Sequence, residues 1–307
     1  MYHSISDRDE DVRHPYFQTN TKPEIFARQM QFLADNDYKV ISLSEALSLI
    51  SNPSSQATSH KLQATKAPRY AVLTFDDGYR DFLDSAWPIL KKHSFTAMMF
   101  LPTGFISNES QCLNSRDCLT WDEIKALAGE GVSFGAHTVS HVQLYELYKT
   151  ASKQPNLPSP HNQESTQSSL SFLRKQESIQ TSAPKSFPRR RESIETMASI
   201  EYELRASKQA IEEKLGKTVD HYSYAYAFPE HDTDFVQYLE QSLSHAGYTC
   251  AVSTRIGTAK RGDDQYILKR IPVNSHDDED LLRAKLEGGY DWLNRIQVMK
   301  KKIRFAA

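Results

Sequence analysis

The chain has 307 residues, of which 39% are hydrophobic and 25% are charged, and its formal net charge is −2. This length and composition are ordinary for a globular protein and are sufficient to bury a full core. The near-zero net charge provides no basic field that would attract nucleic acid, so we discount nucleic-acid-binding functions.

The N-terminal segment Met1–Ile5 is followed by acidic residues, without a charged n-region or an apolar h-region. This pattern predicts no signal peptide and therefore a cytoplasmic protein. The alternative is a cell-envelope or periplasmic protein with a truncated N-terminus, because the chain opens inside an apparent strand. The longest apolar run, Ala97–Leu101, is too short for a membrane span, so we predict none.

Short apolar runs alternate with amphipathic stretches along the chain. The first helix is predicted to start with Thr21 as its cap and Pro23 in its first turn. Residues 51–69 are predicted to form a loop. Strands are predicted at Tyr2–Ile5, Lys39–Leu43, Tyr70–Phe75, Ala97–Leu101, Val132–Ala136, Tyr222–Tyr226, Thr249–Ser253 and Leu268–Val273. Further helices are predicted at Ser44–Ile50, Phe82–His93, Trp121–Glu130, Ile200–Leu215, Phe235–Ala246 and Asp278–Val298.

Alternating strands and helices predict an α/β fold with a parallel sheet. Seven or eight such units favour a closed (β/α)7–8 barrel over an open sheet. Gly131, Gly216 and Gly247 follow three of the predicted helices, where a left-handed residue commonly ends a helix. In a barrel of this kind, functional residues are expected at the carboxyl ends of the strands.

One stretch of the chain does not follow this alternation. Residues 148–199 are rich in Ser, Gln and Pro, and they contain the near-repeat Ser171–Ile179 and Ser186–Ile194. We interpret them as a disordered or loosely helical insertion within a single domain that spans residues 1–307. The basic run Arg189–Arg191 inside it is predicted to be solvated.

The three cysteines, Cys112, Cys118 and Cys250, are predicted to be reduced and partly buried thiols. A disulfide between Cys112 and Cys118 is possible only if the protein is exported.

Two adjacent carboxylates follow the apolar run that begins at Ala71. Asp76 and Asp77 end this predicted strand, and Gly78 allows the chain to turn at once. Neighbouring side chains on a strand point apart, so the two carboxylates are expected to have different roles. The alternative is an acidic turn that caps a helix.

Two histidines follow the predicted strand Val132–Ala136. His137 and His141 are four residues apart, so a turn can direct both imidazoles to one point, and imidazole is a favoured ligand of zinc. One carboxylate and two imidazoles make a three-ligand site with positions open for water. The second carboxylate could then act as a base. This apparatus is suited to attack on an amide or ester carbonyl.

Together, Thr74–Tyr79 and His137–Leu144 resemble the first two motifs of the polysaccharide deacetylase (NodB-homology) family, carbohydrate esterase family 4. The resemblance implies a distorted parallel (β/α) barrel and a divalent metal, with Zn²⁺ expected. It also implies that Asp76 is the general base and that the metal ligands are Asp77, His137 and His141.

The third motif of this family usually contains Pro-Tyr and an arginine. In the corresponding stretch Tyr222–Glu230, Ala225 stands in place of the proline, and the arginine is not evident. Tyr226 is our candidate for a backbone N–H that stabilises the oxyanion. A tyrosine packed in the barrel is the alternative interpretation.

Many family members use a late histidine as the general acid. The predicted strand that begins at Leu268 offers Arg270 and, beyond it, His276. His276 is our candidate acid, and an exposed loop histidine is the alternative. His3, at the end of the first strand, is another candidate pocket residue.

The sequence therefore predicts a metal-dependent deacetylase that acts on an acetylated oligo- or polysaccharide of the cell envelope or capsule, with N-acetyl as the expected linkage. A non-catalytic carbohydrate-binding member of the same fold is the alternative. A glycosidase that uses Asp76 and Asp77 is excluded. Such an enzyme holds its two carboxyls about 5–10 Å apart on either side of one bond, with both facing that bond, whereas the side chains of adjacent strand residues point apart.

Overall fold

The computed structural model describes residues 1–10, 14, 17–51, 68–152, 189–293 and 296. The chain divides into two compact units, one comprising Met1–Gln143 with Tyr202–Ala307 and the other comprising Leu144–Glu201. Most of the predicted loop at 51–69 and of the predicted insertion at 148–199 lies outside the described residues.

The strands are short and follow the alternation expected from the sequence. In the described part of the chain they are β1 (Ser4–Ile5), β2 (Asn20–Thr21), β3 (Tyr38–Val40), β4 (Arg69–Ala71), β5 (Thr74–Phe75), β6 (Met98–Leu101), β7 (Cys112–Leu113), β8 (Arg116–Asp117), β9 (Ser133–Ala136), β10 (His221–Ser223), β11 (Cys250–Ile256) and β12 (Leu268–Arg270).

Helices connect most of these strands. Those described are α1 (Pro23–Asp35), α2 (Leu43–Ser51), α3 (Trp87–Lys92), α4 (Trp121–Gly129), α5 (Leu144–Ser152), α6 (Arg189–Leu215), α7 (Thr233–His245) and α8 (Glu279–Leu286). A π-helical segment, Phe82–Ala86, precedes α3, and a 3₁₀ turn, Thr103–Phe105, follows β6. No helix in these described ranges is both long and apolar enough to cross a bilayer.

The main unit is built on a six-stranded sheet in the order β12-β11-β10-β9-β6-β5, in which every neighbouring pair is parallel. The sheet forms a half-barrel, which confirms the predicted α/β fold with a parallel, distorted barrel sheet. The expected closure is not seen in the described residues, because β5 and β12 end the sheet and do not pair with each other. Because all six strands run the same way, their carboxyl ends lie at one edge. Residues that follow β5, β9, β10 and β12 therefore meet there.

The segment Met1–Tyr2 lies along the outer edge of β5. Its Tyr2 N–H donates to Thr74 O at 2.8 Å, and Asp76 N–H donates to Tyr2 O at 3.0 Å. On its other side, Val273 N–H donates to Met1 O at 3.1 Å. This segment therefore connects the β5 edge with the chain just past β12, and it brings His3 to the same edge as the strand ends.

The predicted strand Tyr70–Phe75 is wrong as a single element. Ala71 O accepts from Ile41 N, whereas Leu73 O accepts from Met98 N, so the chain changes neighbours between these residues. β4 consequently pairs with β3, and β5 pairs with β6 in the main sheet. A mostly apolar run without a turn residue does not reveal such a change of partner.

Two predicted helix ends also differ. Thr21 belongs to β2, and Lys22 precedes α1 without a side-chain cap, although Pro23 opens the helix as predicted. The last helix was predicted to continue to Val298, but α8 ends at Leu286, because Gly288 has a φ of +84° and starts a turn.

The glycines predicted to follow helices have the expected backbone conformation. Gly131, Gly216 and Gly247 have φ values of +104°, +63° and +81°, which confirms left-handed geometry after α4, α6 and α7.

Aromatic side chains fill the space beneath the strand ends. Phe75 is fully buried and lies 4.8 Å, centroid to centroid, from Phe82 in an edge-to-face contact. Burial of each such ring contributes roughly 1.5–3 kcal/mol to folding. Gly135 leaves room for a third ring, because an added Cβ would lie 2.6 Å from the ring of Phe100. The base of the site is therefore closely packed.

Candidate functional site

Two adjacent aspartates leave β5 and point into buried surroundings. Asp76 is 2% exposed and Asp77 is 6% exposed. Asp77 and Gly78 have φ values of +73° and +62°, so the chain turns sharply at this point, as the glycine suggested. Leu119 N–H donates to Gly78 O at 2.9 Å and holds the turn against the segment that precedes α4.

Asp77 and the two histidines converge. Asp77 Oδ1 lies 3.1 Å from His141 Nε2 and 3.5 Å from His137 Nε2. One ligand atom from each of the three residues lies within 4.8 Å of the other two. The structure thus brings together the three residues that the sequence proposed as metal ligands.

The imidazoles are oriented for coordination. His137 Nδ1 lies 2.8 Å from Ser223 O. Since a carbonyl oxygen only accepts, Nδ1 carries the proton and Nε2 presents its lone pair to the cluster. His141 Nδ1 lies 3.2 Å from the Tyr226 hydroxyl, so its Nε2 also faces Asp77. One carboxylate and two imidazoles are a donor set that fits Zn²⁺ or a similar divalent ion.

The electrostatics of the cluster favour a cation. Burial opposes ionisation of Asp77, but the neighbouring imidazoles of His137 and His141 outweigh it and hold its pKa well below the usual value. Burial also opposes protonation of His137, but Asp77 and Asp76 outweigh it and raise the pKa of this imidazole. Ionised carboxylates next to imidazole lone pairs provide both the charge and the ligand atoms for a divalent ion.

The turn that carries the histidines is strained. Thr138 and His141 have φ values of +68° and +53°, which are uncommon for residues with a side chain. On one side of the turn, Thr103 N–H and Gly104 N–H donate to Thr138 O and Val139 O at 3.1 and 2.8 Å.

Gly104 is a site residue that the sequence argument missed. A Cβ at this position would lie 2.7 Å from Val139 O, so only glycine allows this close approach. The signal that could have found it is a glycine just past β6, at the functional edge of the sheet.

Asp76 is engaged by a different set of partners. Arg270 donates from its two terminal nitrogens to Asp76 Oδ1 and Oδ2 at 2.7 and 2.8 Å. Ser223 Oγ donates to Oδ2 at 3.2 Å, and Arg270 Nε donates to Ser253 O at 3.0 Å. Burial alone would raise the pKa of Asp76, but Arg270 outweighs it and lowers the pKa to about 2.

Arg270 is therefore a partner of Asp76. From the sequence, Arg270 is expected at the end of β12, and the third motif has no evident arginine. The structure brings a buried guanidinium to Asp76 from β12, at a sequence separation of 194 residues. Lys269 and Arg270 are adjacent in β12, so their side chains point to opposite faces of the sheet, and this alternation was the available signal for one inward-facing cation.

Tyr226 lies beside the cluster. Its ring centroid is 4.9 Å from that of His141, and its side chain is 50% exposed, which argues against a tyrosine packed in the barrel. Its φ is +64°, and its carbonyl accepts from Thr254 Oγ1 at 2.8 Å, so the turn is held in place. The predicted role of its backbone N–H in oxyanion stabilisation stays a prediction.

The two candidate acids lie in different surroundings. His3 is partly buried at the strand-end edge, where burial lowers its pKa while the charges of Asp77 and Asp76 oppose that shift. His276 is exposed in the turn after β12, and its backbone N–H donates to Asn274 Oδ1 at 3.0 Å. The structure thus places His3 with the aspartates and His276 on an exposed turn.

All three cysteines are free thiols, with Cys118 and Cys250 buried and Cys112 exposed. Cys118 Sγ lies 3.9 Å from the carbonyl of Asp77, and burial raises the pKa of this thiol to about 12. It therefore packs beneath the cluster as a neutral thiol.

Comparison with known proteins places this geometry in a family. The polysaccharide deacetylase family model matches residues 63–251. YxkH of Bacillus subtilis (strain 168), a protein named after the same family, is 32% identical over 147 residues, which are 48% of this chain and 44% of that protein. The chain therefore matches less than half of this relative's length.

Solved structures share the fold at low sequence identity. The Streptococcus pyogenes deacetylase PplD, solved with acetate, superposes with a TM-score of 0.58 at 22% identity, covering 93% of this chain and 96% of that one. A de-N-acetylase from Aggregatibacter actinomycetemcomitans gives 0.59 at 17% identity, covering 92% and 97%. IcaB from Ammonifex degensii gives 0.57 at 17% identity, covering 94% and 95%.

Proposed function

Because the chain belongs to the polysaccharide deacetylase family, we propose that it is a metal-dependent hydrolase that removes acetyl groups from a carbohydrate. The observation that carries this proposal is the convergence of Asp77, His137 and His141 beside a second, separately held carboxylate, Asp76. An N-acetylated glycan of the cell envelope or capsule is the proposed substrate, and the naming of one structural neighbour as a de-N-acetylase supports the amide linkage.

Asp77, His137 and His141 would hold the metal. A divalent ion bound there would supply Lewis acidity at the acetyl oxygen and would lower the pKa of a bound water to about 7. The imidazoles are kept in place through their outer nitrogens, by Ser223 O and by the Tyr226 hydroxyl. Zn²⁺ is the proposed ion, because two imidazoles and one carboxylate are typical of catalytic zinc.

Asp76 would be the general base. Its pKa of about 2 keeps it ionised across the physiological range, and Arg270 fixes its orientation through two parallel hydrogen bonds. A carboxylate with so low a pKa is a weak base, so it depends on a water that has itself been made acidic. The position of Asp76 directly beside the proposed ligand Asp77 supports this assignment.

Tyr226 would stabilise the oxyanion. The left-handed turn at this residue is held by Thr254, and a backbone N–H is a fixed dipole that needs no rearrangement as charge develops. The exposed ring beside His141 would form one wall for the sugar.

The leaving amine needs a proton. His276 is the candidate from the sequence, and His3 is a second candidate because it follows Tyr2, whose carbonyl accepts from Asp76 N–H. Burial lowers the pKa of His3, so the charges of Asp77 and Asp76 would have to favour its protonated form. His3→Gln and His276→Gln distinguish the two, because only the variant of the true acid loses turnover while it retains substrate binding. Parental turnover in both variants would show that neither residue is the acid.

The test of the proposed function is acetate release from N-acetylglucosamine oligomers. Protein is compared after dialysis against a chelator and after Zn²⁺ is restored. We expect release only from the metal-loaded protein. Oligosaccharide binding without acetate release would favour the non-catalytic carbohydrate-binding alternative. Release that is insensitive to the chelator would contradict the metal requirement.

O-acetylated oligomers assayed in parallel identify the linkage. Lys125→Ala, an exposed substitution on α4, serves as the control variant and should behave as the parent protein. A preference for O-acetyl substrates would leave the hydrolase proposal intact and overturn the amide assignment.

A further inference from the structure

The turn between the two histidines presents consecutive backbone N–H groups on the side away from Gly104. Val139 and Ser140 follow the left-handed residue Thr138, and their N–H groups point in a common direction. Successive N–H groups at such a turn form a concavity that binds anions. The carboxylate of Glu203, on α6, binds in this concavity.

Both oxygens of the Glu203 carboxylate accept hydrogen bonds from the turn. Oε2 accepts from Val139 N at 2.7 Å and from Ser140 N at 2.9 Å, and Oε1 accepts from Ser140 Oγ at 2.7 Å. The residue is 8% exposed. Hydrogen bonds to an ionised, buried acceptor are about twice as strong as those between neutral groups.

The two sides of the turn are held by different means. Backbone N–H groups of Thr103 and Gly104 hold its carbonyls, whereas one side chain, Glu203, holds its N–H groups. Left-handed backbone at Thr138 and His141 costs free energy and persists only where the surroundings impose it. Loss of the carboxylate would free the turn to relax and to move His141 away from Asp77.

We propose that Glu203 is a positioning residue for the metal centre: it holds the 137–141 turn in the strained form that directs both imidazoles at Asp77. The inference rests on the proposed metal-dependent function and deepens it, because it assigns part of the metal affinity to a residue that does not contact the metal. Residues that hold metal ligands in place typically account for about 10- to 100-fold in metal affinity.

The experiment measures the Zn²⁺ dissociation constant by competition with a chromophoric chelator, on protein shown to be folded by circular dichroism. We expect Glu203→Ala to weaken Zn²⁺ binding by about 10- to 100-fold. Glu203→Gln keeps the shape and one acceptor oxygen, so its loss should be smaller. Glu213→Ala, an exposed site on the same helix, should bind Zn²⁺ as the parent does.

Each outcome decides the matter. If Glu203→Ala lowers the melting temperature but the folded protein keeps the parental dissociation constant, Glu203 is only structural and the inference is overturned. If Glu203→Ala does not fold, Glu203→Gln and Ser140→Ala decide, and unchanged affinity in both overturns it. If the parent itself binds no Zn²⁺, the proposed metal dependence fails, and the inference fails with it.

Discussion

Asp76 and Asp77 are neighbours in the chain but belong to opposite environments. Asp76 is enclosed by donors from the protein, with Arg270 on both oxygens and Ser223 on one. Asp77 faces two imidazoles, whose charge depends on protonation. The first environment is neutralised within the chain, whereas the second offers ligand atoms and negative charge to an external cation.

We therefore expect the two aspartates to have different roles. A carboxylate that already has a fixed counterion cannot easily become a metal ligand, because it would have to give up two charge-assisted hydrogen bonds. A carboxylate that points at two imidazoles is preorganised for coordination. Substitutions on the Asp77 side should therefore lower the metal content of the protein, whereas substitution of Asp76 should leave it unchanged.

The largest effect is expected on the Asp77 side. His137→Ala should abolish stoichiometric Zn²⁺ and reduce acetate release by roughly 10⁴-fold, because the charge stabilisation from a bound ion is worth several kcal/mol. Metal analysis and a single-turnover assay measure the two effects. His245→Ala, an exposed substitution on α7, is the matched control. Full Zn²⁺ content in His137→Ala would break the assignment of ligands.

On the other side, Asp76→Asn should retain Zn²⁺ and lose roughly 10²–10⁴-fold in acetate release, the usual contribution of a general base. Loss of metal in this variant would show that base and ligand are exchanged between the two aspartates. Asp84→Asn, on the exposed surface, controls for the loss of one charge.

Asp76→Asn also leaves Arg270 buried without its counterion. The double variant Asp76→Asn, Arg270→Met should therefore be more stable than Asp76→Asn alone, as urea unfolding would show. A double variant no more stable than the single one would mean that the two residues are not coupled.

Removing the arginine tests the same pair from its other end. Arg270→Met should lower the free energy of unfolding by about 3–5 kcal/mol, because Asp76 is left buried and unpaired. Lys269→Met is the neighbouring control, since Lys269 forms a partly exposed ion pair with Asp263 at 3.1 Å, and such pairs contribute about 1 kcal/mol or less. Similar losses of unfolding free energy in both variants would mean that the buried Asp76–Arg270 pair contributes no more than a partly exposed one.

The pH dependence of that stability has a defined sign. The pKa of Asp76 is about 2 in the folded chain, below the unfolded value of about 3.9. The pair therefore stabilises the fold above about pH 4, and this contribution is lost as the pH falls from about 4 to about 2. In Arg270→Met the uncompensated burial raises this pKa, so acid unfolding should begin at a higher pH.

The smallest effect is expected at the edge of the metal cluster. Tyr226→Phe removes the hydroxyl 3.2 Å from His141 Nδ1 but keeps the ring and the backbone N–H. We expect Zn²⁺ affinity to fall by about 10-fold, with turnover at saturating Zn²⁺ unchanged. A large loss of turnover at saturating Zn²⁺ would mean that the phenol itself takes part in the reaction.

Several features of the fold and site follow from local sequence. Alternating apolar and amphipathic stretches predicted the parallel sheet, and polar residues directly after two strands predicted where the site lies. The spacing of His137 and His141 predicted that both could reach one point, and the structure has them facing Asp77. These features depend on a few consecutive residues, so a periodic pattern can express them.

Other features depend on residues that only the folded chain brings together. The partner of Asp76 is 194 positions away, the carbonyl that orients His137 is 86 positions away, and Glu203 is 63 or 64 positions from the turn it holds. The split of the predicted strand Tyr70–Phe75 likewise reflects a choice between two distant neighbours.

The sequence by itself determined the class of fold, the edge of the sheet where the proposed site lies, and the three residues proposed to bind an ion. The tertiary structure decided which charge each aspartate faces, which histidine lies near them, and how a strained turn is kept in place. The physical reason is that hydrogen bonding and desolvation depend on distances in space. Local periodicity constrains those distances only within a helix, a strand or a turn.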